Sequence, residues 1–359
     1  MTHSPSPVRV RPSVHVRVRP CQSVPVLFLL LLSAGPAFGL TPTWHWDGLL
    51  TYDDNPFHYS RSDLDTFHMN LAPARFPIRT SDDLEATIGS ALTCRYLLFG
   101  LPATCEADVK LHTYLSNSEK SYGVATVGAS QELWLGARGK LTYTAMPDYL
   151  LRYFLDPSTP DVGDYTACRF TEHLGMVEFR QQFGAVTVQP EYGFEYDDYL
   201  PVFNHYDTKL HRLGGQASVQ LAPNFTIQGE YEYRLASARG PVPDASYEQH
   251  RVGLSVVTRP RRLSRFGLDA GYWFAQRRYT TSNPGTIDPG HSGRIDYLED
   301  ARVTFRYRLT DVTLVVDYEM EWRSVESAFS ADIVDIKDYQ ESRLGLGLSY
   351  SPAKTRKAR

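Results

Sequence analysis

The residues best equipped for chemistry in this chain stand at every second position. Arg302, Arg306 and Arg308 share one parity in one segment, and Asp317, Glu319 and Glu321 share one parity in the next. Successive side chains of an extended chain point to opposite sides, so charges spaced by two project from one face. The positions between them, such as Val303, Phe305, Val316 and Tyr318, are apolar. The same arrangement places Glu191 with Glu195, and Glu230 with Glu232 and Arg234, while Arg180 shares it in an earlier segment. Two chemistries are open to such a face. Its charges line a water-filled path and select the solutes that pass, or they neutralise one another and plug a narrow interior.

The elements that position these charges are strands. Phe225, Ile227, Gly229, Tyr231, Tyr233 and Leu235 alternate with Thr226, Gln228, Glu230, Glu232 and Arg234. Comparable alternation runs through Val186–Asp197, Ala301–Leu309 and Val312–Arg323. A soluble sandwich alternates too, so other features must decide. The segments run about 10 to 13 residues where globular strands cluster near 5 to 6, and a tilted membrane crossing needs about 9 to 11. Connections alternate between tight turns, near Gly136–Gly139, Phe183–Ala185, Ala222–Asn224, Arg259–Leu263 and Leu309–Asp311, and long polar loops such as Asp156–Asp164, Ala236–Ser246 and Thr281–Gly293. Tyrosine and tryptophan gather toward strand ends, as interfacial girdles require. Together these describe an all-β protein, a transmembrane antiparallel up-and-down β-barrel of about 14 strands, within a range of 12 to 18. The range is set by Asp53–Asp82, long enough to hold another hairpin. Mean hydropathy is −0.34, which fits strands that turn only alternate residues to lipid.

The chain has 359 residues and divides into three parts. Val24–Leu32 is a short apolar run behind Arg9, Arg11, Arg17 and Arg19, and small residues follow it. This is the order of a secretory signal, so residues 1–39 are expected to be removed before Leu40. Loss of four arginines and no acid takes the formal charge from −4 to −8, which argues against a nucleic-acid partner. Residues 40–350 form the barrel, and residues 351–359 are a basic tail expected on the periplasmic side.

Cys94 and Cys105 flank a turn expected at Leu97–Ala103 and stand opposite one another in its hairpin. An oxidising compartment permits a disulfide between them; two free thiols are the alternative, because hairpin geometry often misses disulfide geometry. Cys168 is left without a role. No spacing of cysteine and histidine suggests a metal or haem, so no cofactor is expected. Asp53-Asp54, Asp82-Asp83 and His205-Tyr206-Asp207 lie near loop ends, where a rim hydrolase would need a carboxylate pair and an Asp–His pair around a water. Aspartate is equally an ordinary turn residue, no motif fixes a common geometry, and the chain is read as a non-enzyme.

Two short stretches resemble known outer-membrane proteins. The segment from Arg343 to Tyr350 resembles the C-terminal assembly signal of bacterial outer-membrane barrels, with Arg343, Gly345, Leu348 and Tyr350 in its polar, glycine, hydrophobic and aromatic places. It departs from that pattern in continuing past the aromatic residue. The resemblance implies a porin-like barrel in the bacterial outer membrane, with membrane lipid and the barrel-assembly machinery as partners. Tyr52-Asp53-Asp54-Asn55-Pro56-Phe57 is similar to the start of barrels encoded with exopolysaccharide export systems, which implies periplasmic export components as further partners. The expected function is a channel for hydrophilic solutes, including a secreted polysaccharide, through a charged lumen. The alternative is a non-conducting barrel that serves as scaffold or receptor for a periplasmic or secretion partner.

Overall fold

Alternation, tight turns and β-branched or aromatic outward positions leave the chain little choice but extended structure. A computed structural model describes residues 41–134, 136–159, 163–259, 265–327, 329 and 337–351. The leader and most of the basic tail lie outside the described residues. Fourteen strands form: β1 (Thr41–Asp53), β2 (Asp83–Leu98), β3 (Leu101–Tyr114), β4 (Tyr122–Trp134), β5 (Ala137–Leu155), β6 (Tyr165–Phe183) and β7 (Val186–Tyr199). They continue as β8 (Thr208–Ala222), β9 (Phe225–Ala238), β10 (Tyr247–Thr258), β11 (Phe266–Tyr279), β12 (Ile295–Arg308), β13 (Val312–Glu326) and β14 (Tyr339–Tyr350). Each pairs antiparallel with its neighbours in sequence, and β14 pairs with β1 to close the barrel. Closure leaves no open sheet edge, as a sheet facing lipid requires.

The connections sort by side. Turns at 99–100, 184–185, 223–224 and 309–311 are short, and Gly100, Gly184 and Gly136, the last just before β5, adopt positive φ, which costs glycine little. The loops at the other end include 54–82, 239–246 and 280–294. The start of β1 and the end of β14 both lie on the short-turn side, since the strand number is even.

The outer wall is apolar. On β14, Leu344, Leu346, Leu348 and Tyr350 are all exposed, while Glu341 and Gly345, of the opposite parity, are buried on the inner face. Tyrosines form a row outside the barrel: Tyr143, Tyr192, Tyr231, Tyr272 and Tyr318 are each the seventh residue of β5, β7, β9, β11 and β13. Four of them reach diagonally to the following strand. Tyr143 bonds His173 at 2.7 Å, Tyr192 bonds His211 at 2.9 Å, Tyr231 bonds His250 at 2.8 Å, and Tyr272 donates to Glu299 at 2.7 Å. Rings with polar tips directed toward the long-loop end suit the boundary between hydrocarbon and headgroups.

The segment 54–82 is not a further hairpin. It contains one short helix, α1 (Arg61–His68), capped by the Ser60 hydroxyl, which accepts from the Asp63 amide at 3.1 Å. Phe57, Tyr59, Phe76 and Ile78 bury themselves against Leu150 of β5, with Leu64 and Phe67 of the helix beside them. Strand pairing would have left these side chains facing water; folding over the mouth buries them, at about 1.5–3 kcal/mol for each large one.

Candidate functional site: the charged lumen and its mouth

The inner wall carries the charged residues expected there, but their pairing follows register rather than parity alone. Thr304 stands opposite Asp317, Arg302 opposite Glu319, and Arg306 opposite Val315. Arg302 reaches diagonally to Asp317 with two bonds, 3.0 and 2.9 Å, and the Thr304 hydroxyl bonds the same carboxylate. Arg306 pairs instead with Asp269 of β11, and Arg308, at the short-turn end, donates Nε to the Thr310 carbonyl at 3.2 Å. Glu319 lies 3.8 Å from Arg343, and Glu321 accepts from the Tyr339 hydroxyl. All six share the inner face, yet only Arg302 of the three arginines meets one of the three acids.

Across the barrel, Arg212 pairs with Glu195 and Arg234 with Glu232. Arg251 lies between Glu230 at 3.5 Å and Asp300 at 3.8 Å. Glu191 stands opposite Glu178 of β6 and has no cationic partner among the described residues. Arg180 is exposed toward the short-turn end. The Trp273 indole turns inward over Gly253 and Gly271, where any Cβ would collide with it.

The assembly-signal residues hold the closing seam. The Arg343 guanidinium lies among Glu85 at 2.9 Å, Asp53 at 3.6 Å, Glu319 at 3.8 Å and Glu341 at 3.9 Å, so it ties β14 to β1, β2 and β13. Gly345 is buried between Asp317 of β13 and Thr51 of β1 in register, with the Leu49 side chain close by. Leu348 and Tyr350 point outward.

The rim aspartates serve as anchors. Asn55 accepts from the Tyr59 amide at 2.8 Å and donates to the Tyr59 and Gln340 carbonyls, while its own amide donates to Asp53 at 3.0 Å. Asp54 exchanges backbone and side-chain bonds with Ser342. The Asp83 carboxylate receives Ser116, Asn117 and Leu84 amides. Asp207 pairs with Arg239 and accepts from the Tyr199 amide. None of these brings a carboxylate pair to an Asp–His pair. Among the described residues carboxylates converge twice: Asp53, Glu85, Glu319 and Glu341 around Arg343, and Glu172, Glu195 and Asp197, to which Arg212 pairs through Glu195.

Segment 54–82 and the short helix Ser118–Lys120 together roof one side of the mouth. His58 Nε2 lies 2.9 Å from Glu341, and its ring stacks on Tyr339 at 4.6 Å. Lys120 is buried, and its ammonium donates to the Leu150 carbonyl at 2.7 Å, the Leu151 carbonyl at 3.2 Å and the Tyr149 hydroxyl at 3.1 Å. Under the roof lies a chamber of about 310 Å³. Arg152, Arg277, Arg294, Arg323 and Lys337 line it, with Asp197 as the one lining carboxylate among the described residues and Asp296 behind Arg294 and Arg323. Aromatic rings hold the guanidiniums: Arg277 lies 4.3 Å from the Tyr247 ring, Arg294 4.6 Å from Tyr279, Arg152 4.9 Å from Phe154 and Arg323 6.0 Å from Tyr339.

Sequence reasoning placed none of this chamber. One signal was available. Phe57, Tyr59, Phe76 and Ile78 are too apolar for a surface loop, and a connection of that length inside a compact domain is usually functional.

Cys94 and Cys105 stand directly opposite in the β2–β3 register, as expected, but on the outward parity of the barrel. They are separate thiols, and Tyr96 reaches Cys105 with its hydroxyl 3.4 Å from the sulfur. Cys168 is buried against the chamber.

No family model matches the chain, and no curated protein matches it. Solved structures resemble it in fold. The outer membrane channel DcaP of Acinetobacter baumannii aligns over 87% of this chain and 97% of its own, at 12% identity and a TM-score of 0.49. A loop L8 deletion mutant of OmpT, an outer membrane protein of Vibrio cholerae, aligns over 87% and 99%, at 7% identity and 0.46. An anion-selective porin from Comamonas acidovorans aligns over 87% and 99%, at 7% identity and 0.44. Likeness at this level carries no inference about substrate or mechanism. The location follows from the molecule itself: a closed antiparallel barrel with an apolar outer wall and a charged inner one is a protein of the bacterial outer membrane.

Proposed function

We propose that the barrel is a channel for hydrophilic solutes. The observation that carries the reading is the inner wall, which is charged from Arg308 at one end to the chamber at the other. Asp300 Oδ1, Asp197 Oδ1, Arg212 Nε and Arg343 Nε are buried without a protein hydrogen-bond partner. In a dry plug an ion so incompletely paired costs several kcal/mol; in a wet lumen it costs little and biases which ions pass. The finer reading, passage of a secreted polysaccharide with periplasmic export components, is supported by the Tyr52–Phe57 similarity and by the tyrosines around the chamber. Lipid contacts the outer wall, and the assembly machinery reads β14. The scaffold reading draws on one specific observation, the apolar packing of 54–82 across the mouth.

Planar-bilayer recording decides between them. Replacing Arg302, Arg306 and Arg308 by glutamate should move the reversal potential in a salt gradient toward cation preference. Because Arg302 is bonded to Asp317 and Arg306 is paired with Asp269, the Arg308→Glu single variant is recorded beside it, and should shift the same way. A folded barrel without conductance would establish the scaffold reading. Conductance with unaltered selectivity in both variants would show that these arginines lie off the path.

A further inference from the structure

Among the described residues, the chamber holds more positive charge than its acids neutralise. Asp296 is shared between Arg294 and Arg323. No carboxylate lies within ion-pair distance of Arg152, Arg277 or Lys337 among the described residues, and Arg323 Nε is buried without a partner. Burial, with Arg152, Arg294 and Arg323 around it, pushes the Lys337 ammonium well below the ordinary lysine range. Even with Lys337 neutral, four guanidiniums face two carboxylates among the described residues. Such a site gains from an anion, and guanidinium forks match carboxylate geometry.

The walls add a second requirement. Tyr199, Tyr206 and Tyr247 line the same space, and each carries an aromatic ring and a hydroxyl that donates and accepts. About 310 Å³ is far more than a chloride or an acetate fills, and it lies at the low end of small-molecule sites. Flat aromatic faces, hydroxyls and a cationic end are together the complement of a polar ring that bears one acid group.

Resting on the channel reading, we propose that this chamber binds a carboxylated sugar, its carboxylate between Arg152, Arg323 and Lys337 and its ring against Tyr199, Tyr206 and Tyr247. The sugar acid is either free or a residue of a polymer, and both present the same group. The inference gives the lumen a substrate class and places its selectivity at the outer mouth, away from Arg302, Arg306 and Arg308.

The test is calorimetric titration of the full barrel in detergent, which reads binding without conductance. Glucuronate should bind, glucose should bind at least tenfold more weakly, and Arg152→Gln with Lys337→Gln should weaken glucuronate at least tenfold. Arg152→Lys, which keeps the charge and is the less disruptive change, should recover part of the loss. Lys209→Gln, on the outer wall, removes one positive charge and should leave binding unaltered. Tetragalacturonate should bind as well, and the tighter of the two acids identifies the free sugar or the polymer as the source. Glucose equal to glucuronate would overturn the cationic end. Benzoate equal to glucuronate would overturn the sugar class, and loss of binding in Lys209→Gln would reduce the effect to overall charge. A barrel that conducts but does not bind glucuronate refutes the chamber alone. One that binds but does not conduct refutes the channel alone.

Discussion

At the scale of single residues, face decides the cost of a charge more than composition does. Leu346 is exposed on the outer wall of β14, so Leu346→Arg sets an ion in hydrocarbon and should cost about 2–4 kcal/mol near the midplane. Parity in the sequence makes Glu341 the natural inward comparison on the same strand, with a mild effect expected. The structure corrects that expectation: Glu341 is buried, 2.9 Å from His58 and 3.9 Å from Arg343, and an arginine there would face Arg343 without its acid. Gln216 of β8 is the sounder control, because it lies inward opposite Glu230 and offers an arginine a partner. Unfolding midpoints in urea should drop for Leu346→Arg and stay near wild type for Gln216→Arg. Equal losses would mean that the faces are wrongly assigned.

At the scale of elements, the roof over the mouth is the part with its own titration. Burial brings the Lys120 ammonium down to about 7, while Glu341 and Asp53 pull it up and Arg343 and Arg152 push it down. The unfolded loop keeps a lysine proton up to about 10.5 that the packed loop sheds near 7. The packed form is therefore favoured as pH rises through that window, and the gain is lost as pH falls back through 7. A fluorophore on Met69→Cys, in a background lacking the native cysteines, reports release of segment 54–82. Its urea midpoint should rise between pH 7 and pH 9.5, and Lys120→Met should flatten the rise. The same slope in both proteins would remove Lys120 from the account. Loosening this element also exposes the chamber, so roof stability and solute entry are coupled through Phe57 and His58, which line both.

At the scale of the whole molecule, an even number of strands fixes which connections share a side. Val242 lies in the long loop 239–246 and Pro223 in the two-residue turn 223–224, at opposite ends of β9 and its neighbours; both are exposed. In cells expressing otherwise cysteine-free protein, a membrane-impermeant maleimide should label Val242→Cys and leave Pro223→Cys unmodified until the outer membrane is breached. Labelling of the turn alone would invert the barrel. The chamber would then face the periplasm, and the sugar acid would meet it from within.

The sequence by itself determined that strands form, about how many there are, and which way their faces turn. Each rests on local physics: a two-residue period, glycine at the turns, and a length matched to hydrocarbon thickness. It also determined that Arg302, Glu319 and Arg343 look inward, since parity follows directly from an unbroken strand. Only the tertiary structure decided which charges meet. Diagonal reach across a register sends Arg306 to Asp269 and gathers four acids around Arg343. It also decided that 54–82 roofs the mouth instead of adding a hairpin, because those apolar side chains find their burial against Leu150 of β5, far along the chain. The chamber belongs to the same class. Arg152, Arg277 and Arg323 come from strands far apart in the chain, and no local pattern brings them together; closure of the barrel does.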